Sequence, residues 1–122
     1  MTNSSRETET IRIVDVVDTD ICVTQADGER VFKRIYSAFQ RGSNVVLSFR
    51  DVRFIISAFL NPAIGMLYKY YDSRYLNENL KVIDITVDQR AMVREVLRNA
   101  KEYYENQAEV NNSLNEAMNG EL

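Results

Sequence analysis

The chain has 122 residues, of which 45% are hydrophobic and 27% charged, and its formal net charge is −3. This length suits one domain, and the balance of apolar and charged residues is typical of a globular protein rather than a disordered or fibrous one. The chain has no histidine and a single cysteine, Cys22. Ser-His-Asp and Cys-His catalysis, an internal disulfide and a multi-cysteine metal site are therefore excluded.

The two ends of the chain differ in composition from the middle. Residues 1–10 are polar and rich in Ser, Thr and Glu, and residues 106–122 carry three Glu and no Lys or Arg. We expect a flexible N-terminal tail at 1–10, a domain at 11–105 and a flexible acidic C-terminal tail at 106–122. No stretch approaches the ~20 apolar residues of a membrane span, and residues 1–10 lack the apolar run of a secretory signal, so a cytoplasmic location is expected.

The first part of the domain predicts a hairpin. Residues 11–17 are mostly β-branched and indicate a strand, and residues 21–24 indicate a second, shorter strand. The turn residues Asp18-Thr-Asp20 lie between them.

A helix and a buried strand are predicted next. Apolar residues recur at three- and four-residue steps from Asp27 to Arg41, and Gly42 is placed to cap the end of this amphipathic helix. The nearly continuous apolar run Asn44–Phe49 is typical of a strand in the middle of a sheet that is covered on both faces.

The position of the second helix depends on Asn61-Pro62. Residues 52–56 are mostly apolar, and a second helical pattern of apolar residues follows them. Asn61 can cap a helix whose first residue is Pro62, so we predict a tight turn at 57–60 and a regular helix from 62. Gly65 within that helix indicates close approach of another element.

The last part of the domain repeats the alternation of strand and helix. Residues 80–85 predict a strand, and Thr86 and Gln89 form a capping box for a helix that runs to about Asn106. Alternating strands and helices predict an α/β layer structure, here preceded by the hairpin.

Few residues point to small-molecule or nucleic-acid chemistry. The four glycines are isolated from one another, so no phosphate-binding loop is indicated. Cys22 lies among apolar residues and is expected to be a buried hydrophobe. Arg90, Arg94, Arg98 and Lys101 form one basic stripe along the last helix, which a phosphate backbone or an acidic partner could use, but neighbouring glutamates favour a solvated face.

The loop after the central strand is the strongest candidate for a binding site. It places Ser57 and Asn61 between a strand and a helix, at the carboxyl end of the central strand, where open α/β sheets carry their binding sites. Caps at the start of a helix are the alternative role for a Ser and an Asn in these positions.

Several short motifs resemble the STAS-like domain family of bacteria and phages. These motifs are Asp27-Gly28-Glu29, Val45–Phe49, Ser57 with Phe59-Leu60-Asn61, Ile64-Gly65 and Leu67-Tyr68. The resemblance covers about residues 11–105, and that family is distantly similar to anti-sigma-factor antagonists. It implies a mixed four-stranded sheet surrounded by helices, in which the N-terminal hairpin precedes alternating helices and strands.

The resemblance also implies a partner-switching role. An antagonist of this kind binds a histidine-kinase-like anti-sigma protein and is released when a serine at the start of the second helix is phosphorylated. In this chain Ala58 stands at the usual acceptor position, so such a switch would have to use the preceding Ser57 or else be absent.

The leading hypothesis is a non-enzymatic regulatory adaptor without a cofactor that binds a protein partner through residues 50–61. We expect Arg50 and Arg53 to make polar rim contacts, Phe59 to be an apolar anchor, and Ser57 and Asn61 to complete the site. One alternative is a small-ligand sensor or enzyme with a pocket at the same strand ends. Nucleic-acid binding through the basic stripe of the last helix is a third possibility and predicts steep salt dependence.

Overall fold

A computed structural model describes residues 6–121 of the chain and the side chains of residues 6–107. Residues 1–5 of the expected N-terminal tail, and Leu122, lie outside the described residues. The described chain contains five short strands: β1 (Thr8–Arg12), β2 (Ile21–Cys22), β3 (Asn44–Ser48), β4 (Phe54–Ile55) and β5 (Leu80–Ile83).

The strands form two separate sheets in which every pair is parallel. The larger sheet has the order β1-β3-β5, and β2 pairs with β4 in the smaller one. The prediction that β3 is the central strand is confirmed, but the mixed four-stranded sheet is wrong: the described sheets have three and two strands.

Helices connect and cover these strands. They are α1 (Ile13–Val17), α2 (Gln25–Gln40), α3 (Ser57–Ala63), a 3-10 helix (Gly65–Lys69), α4 (Ser73–Asn79) and α5 (Val87–Glu121). The sequence patterns predicted neither α1 nor α4. Helix α5 includes residues 106–121, which were predicted to be a tail; the flexibility of that segment stays a prediction.

The larger sheet is covered on one face only. Val45 and Leu47 of the central strand are buried, whereas Val46 between them is partly exposed. Thr10 and Lys81, which pair in register with Val46, are exposed. The prediction that both faces of this strand are covered is therefore wrong, because the polar residues of the neighbouring strands keep the second face in solvent.

The predicted N-terminal hairpin is not formed, and Asp15 explains why. In a strand over residues 11–17, Asp15 would lie on the same face as Ile13 and Val17. In α1 those two residues are four positions apart, so both are buried while Asp15 remains exposed. The chain therefore begins β1 three residues earlier than predicted, inside the expected N-terminal tail, and continues after Arg12 as one turn of helix that ends at Asp18 with φ 59°.

The caps predicted for α2 and α5 are largely confirmed. Helix α2 begins two residues before the predicted start because Thr24 accepts a hydrogen bond from the Asp27 amide. It ends before Gly42, which has φ 80° and donates its amide to the Phe39 carbonyl. At the start of α5, Thr86 and Gln89 exchange the two hydrogen bonds of a capping box, both at 3.1 Å.

Helix α3 begins at Ser57, so the prediction of a regular helix from Pro62 is wrong. Pro62 lies inside α3, where the missing amide leaves the Ala58 carbonyl without its helical donor. Ala58 is exposed, and the helix ends one residue after Pro62. The local cost is offset by burial, because Phe59, Leu60, Pro62 and Ala63 all enter the core.

Pro62 packs closely against Gly28 of α2. A Cβ atom at Gly28 would lie 2.3 Å from the Phe59 carbonyl oxygen and 2.7 Å from the Pro62 Cγ. The two helices therefore touch at a point where only glycine fits. Gly65 is less crowded, because its added Cβ would lie 3.4 Å from the Ala100 Cβ.

We predict that Gly28→Ala lowers the free energy of unfolding by about 1–3 kcal/mol, since α2 and α3 would have to move apart. Denaturant unfolding followed by circular dichroism measures this change. The matched control is Gly65→Ala, which we expect to change the free energy by less than about 0.5 kcal/mol. If the two substitutions changed the free energy of unfolding equally, the tight α2–α3 contact would be contradicted.

A charged cluster joins β1 to the end of α2. Glu9 accepts hydrogen bonds from the Arg41 side chain at 2.6 Å and 3.1 Å and from the Arg34 side chain at 3.3 Å. The hydrogen bond from Arg41, followed by those from Ser43 and Arg34, lowers the pKa of Glu9 to about 2. The carboxylate is thus more stable in the folded chain than in the unfolded one.

We predict that Glu9→Gln destabilises the protein at neutral pH and that this difference shrinks in acid. Because the folded pKa of Glu9 is depressed from 4.5 to about 2, its contribution is present in full above pH 4.5 and is lost as the pH falls through 2. Thermal melts of the wild type and Glu9→Gln across this range measure the difference. A difference that is constant from neutral pH to pH 2 would rule out the ionised Glu9 as its source.

Candidate partner-binding site

The chain between β3 and α3 is fixed by backbone hydrogen bonds to β2. The Arg53 and Phe54 amides both donate to the Asp20 carbonyl, at 2.9 Å and 3.2 Å, and the Ile56 amide donates to the Cys22 carbonyl at 3.2 Å. These bonds continue the parallel pairing of β2 with β4. The loop therefore belongs in part to the smaller sheet and is held by its hydrogen bonds.

A tight turn connects the central strand β3 to the loop. The Val52 amide donates to the Phe49 carbonyl at 3.0 Å, and Asp51 within the turn has φ 65°. Aspartate tolerates this left-handed conformation better than most residues. Its carboxylate also forms an ion pair with Arg12 at the end of β1, which ties the turn to the neighbouring strand.

A second polar contact fixes the ends of β3 and β5. The Ser48 hydroxyl donates to Asp84 at 2.8 Å and accepts from the Arg50 amide at 3.2 Å. Asp84 has φ 56°, as expected for an aspartate that turns the chain after a strand. These groups hold the carboxyl edge of the larger sheet in one arrangement and leave the Arg50 side chain exposed.

Seven residues of the segment 50–61 are exposed: Arg50, Asp51, Arg53, Phe54, Ser57, Ala58 and Asn61. Phe54 is 54% exposed, which is unusual for a large aromatic residue. Arg53 lies 3.9 Å from Asp20, and both side chains are so exposed that this ion pair contributes little to stability. The loop therefore presents two arginines and an aromatic ring, residue types that are enriched in protein interfaces.

The apolar anchor expected at Phe59 is not on this surface. Phe59 is 0% exposed and packs in the core, because it lies on the side of α3 that faces α2. Phe54 is the exposed ring that the sequence prediction missed. In β4 the neighbouring Ile55 pairs with Cys22 and is buried, so Phe54 points to the opposite side. The mostly apolar run 52–56 has no alternation that would reveal this.

Asn61 lies one helical turn beyond Ser57 on the exposed side of α3. It lines a cleft of about 210 Å³ between α3, the 3-10 helix and α5. Ser57 is the first residue of α3, and its helix cap is Ile56, so neither Ser57 nor Asn61 serves as the cap residue.

The start of α5 borders the same edge. The Gln89 side-chain amide donates to the Val52 carbonyl at 3.4 Å, which joins α5 to the loop. Val87 is 85% exposed and Ile83 is 40% exposed. The sequence prediction assigned neither residue to the site.

Cys22, Asp18 and Asp84 have structural roles in this arrangement. Cys22 is 0% exposed, and burial, together with the charges of Asp27 and Asp20, raises the pKa of its thiol to about 11. Asp18 and Asp84 occupy left-handed turn positions. Across the described part of the chain, no group of three or more Asp, Glu, Cys or His residues is arranged to hold a metal ion.

The basic stripe on α5 is exposed along its length, as the sequence pattern indicates. Within residues 6–107, the salt bridges include none of its four members, Arg90, Arg94, Arg98 and Lys101. Its role as a solvated face or as a contact for an acidic partner stays a prediction.

A family model described as a STAS-like domain of unknown function (DUF4325) matches residues 27–90. The chain belongs to this family. The matched region begins in α2 and ends in the first turn of α5, so it contains the central strand, the loop 50–61 and α3. The resemblance found from the sequence motifs is thereby confirmed.

Comparison with curated proteins and with solved structures found no match. Among residues 6–121, no helix has the length and apolar character needed to cross a membrane.

We predict that the Cys22 thiol of the folded STAS-like protein is unreactive. Because the side chain is buried and its pKa is about 11, its reaction with a disulfide reagent at about pH 8 should be at least about tenfold slower than in denaturant. The absorbance of the thiolate released from the reagent measures the reaction rate in native and in denatured protein. Equal rates in native and denatured protein would show that Cys22 is accessible in the fold.

Proposed function

We propose that this STAS-like protein is a non-enzymatic regulatory adaptor that binds a protein partner through the loop at 50–61. The observation that carries this proposal is the solvent-facing group of Arg50, Arg53 and Phe54 on a loop held by backbone and ion-pair contacts. Arginines and an aromatic ring supply most of the binding energy in many interfaces, and a fixed loop loses little entropy when it binds.

Each exposed residue has a distinct role in the proposed interface. Phe54 provides the apolar anchor that was expected of Phe59, and the two arginines make contacts with acceptors at its rim. Val87 and Ile83 extend the apolar contact toward the start of α5. The proposed partner is a histidine-kinase-like ATPase domain of the anti-sigma type, as the similarity to anti-sigma-factor antagonists suggests.

Ser57 is the proposed switch of this interface. It is exposed and lies three residues from Phe54, so a phosphate on its hydroxyl would place nearly two negative charges beside the proposed apolar contact. Desolvation of that charge on binding would oppose association. Ala58 has no hydroxyl and cannot take this role, although it stands at the position of the acceptor in the antagonists.

We predict that Ser57→Asp weakens binding of the partner by about tenfold or more and that Arg53→Ala costs at least about 1 kcal/mol of binding energy. Tagged wild-type protein first retains the ATPase from a cell lysate, and calorimetry with the purified partner then gives the affinities. The matched control is Ser37→Asp, which places the same charge on an exposed position of α2.

Two results would contradict the proposal. If the wild-type protein retains no ATPase or regulatory protein from the lysate, the proposed adaptor function is wrong. If Ser57→Asp and Ser37→Asp bind the partner with equal affinity, Ser57 is not a switch and the adaptor is not regulated at this position.

A further inference from the structure

Helix α5 is longer than the part of it that packs on the domain. It has 35 residues. The Tyr104 hydroxyl lies 3.3 Å from the sulfur of Met66, and the next residues, 105–107, are exposed. Because an α-helix rises about 1.5 Å per residue, residues 105–121 carry α5 about 25 Å further. We call residues 105–121 the helical extension.

The composition of the helical extension does not favour a helix that stands alone in water. It includes five asparagines and Gly120, and both residue types have low helix propensity. Even sequences with high propensity form marginal isolated helices at about this length, so most helices in proteins depend on packing of one side. The helical extension therefore needs a surface to pack on.

The helical extension is amphipathic in sequence. Glu102, Glu109 and Glu116 recur at seven-residue steps and form one acidic stripe. A second stripe, on another side of the helix, is apolar and continues the line of Tyr103 at steps of three, four or seven residues. Its members are Val110, Leu114, Ala117 and Met118. The apolar stripe is the side of the extension that packing would cover.

The apolar stripe starts at an open cleft of the domain. This is the cleft of about 210 Å³ between α3, the 3-10 helix and α5, and Tyr103 in its lining is 55% exposed. The described residues that line the cleft are uncharged, and they include Met66 and Ala100. The extension of the same chain does not reach this cleft, because it continues the helix that forms one wall. A second copy of the chain can supply the extension that fills it.

Charge is distributed unevenly along α5. Residues 87–101 carry the four cations of the basic stripe against Asp88 and Glu95, a net charge of +2. Residues 102–121 carry five glutamates and no Lys or Arg, a net charge of −5. Two α5 helices side by side in the same direction would place their acidic halves together. In opposite directions each acidic half lies beside a basic half, and the helix dipoles also oppose each other favourably.

We propose that two copies of this chain form an antiparallel dimer through α5, in which the helical extension of each copy lies in the cleft of the other. The two-fold axis passes near Tyr103, where the cleft and the extension meet. This proposal does not rest on the adaptor function of the loop at 50–61, and the cleft shares only Asn61 with that loop.

A two-fold axis near Tyr103 brings residues at equal distances from it to the same level along the pair. Glu105 of one copy is then level with Lys101 of the second copy, and Glu116 is level with Arg90. Leu114 is level with Met92, which is partly buried beside the core. The sequence of α5 is therefore complementary to itself when it is reversed.

Analytical ultracentrifugation of the full chain tests the association. We expect a dimer of the 14.1 kDa chain. Leu114→Asp should weaken the dimer about tenfold or more, because a carboxylate would be desolvated in the apolar contact. The matched control is Asn112→Asp, which adds the same charge two residues away, on the side of the extension that carries the glutamates, and should leave the dimer intact. Circular dichroism melts confirm that each variant is folded.

Pulsed electron paramagnetic resonance tests the direction of the helices. A spin label is attached to Asn115→Cys in a chain with Cys22→Ser, so that each copy has one label. In an antiparallel pair centred on Tyr103 the two labels lie about 35 Å apart, whereas a parallel pair brings them within about 20 Å.

Three results would each overturn the proposal. The first is a chain that remains monomeric at about 500 μM, because association weaker than this is outside the range of specific recognition. The second is equal dimer affinity of folded Leu114→Asp and Asn112→Asp. The third is a label separation below about 20 Å, which would show a parallel pair that leaves the cleft unfilled.

Discussion

The fold depends on the contact between Gly28 of α2 and the backbone of α3. Because a side chain at Gly28 would collide with the Phe59 carbonyl and the Pro62 ring, the two helices meet at backbone distance. That contact determines which side of α3 is buried. Phe59 and Pro62 face the core, and Ser57 and Asn61 consequently face solvent. The exposed residues of the candidate site are thus a consequence of a packing constraint 30 residues earlier in the chain.

Helices and strands that have their own caps or apolar patterns could be predicted from the sequence. Elements whose structure depends on contacts with residues far away in the sequence could not. Helix α2 and the start of α5 carry their own caps and apolar stripes, and the apolar run of β3 indicates a central strand. Residues 13–17 have β-branched side chains that favour a strand. Tertiary packing overrides that preference, because only a helical turn buries Ile13 and Val17 and leaves Asp15 in water.

The sequence indicates where the candidate loop lies but not which of its side chains are exposed. Its location follows from the rule that parallel strands present their carboxyl ends to ligands, and the loop after the central strand is easily found. The choice between Phe54 and Phe59 depends on the pairing of Ile55 with Cys22, which joins residues more than 30 positions apart. No local pattern in 50–61 contains that register, so the sequence suggested the wrong aromatic residue.

Helix α3 connects the loop at 50–61 to the cleft between α3, the 3-10 helix and α5. Ser57 is the first residue of α3, and Asn61, which lines that cleft, is one turn later on the same side. Side chains at this spacing lie about 6 Å apart, and charges act over about 8 Å at physiological ionic strength. A negative charge on Ser57 would therefore act on the Asn61 side of that cleft. A single short helix, positioned by Gly28, thus links the exposed loop to the cleft.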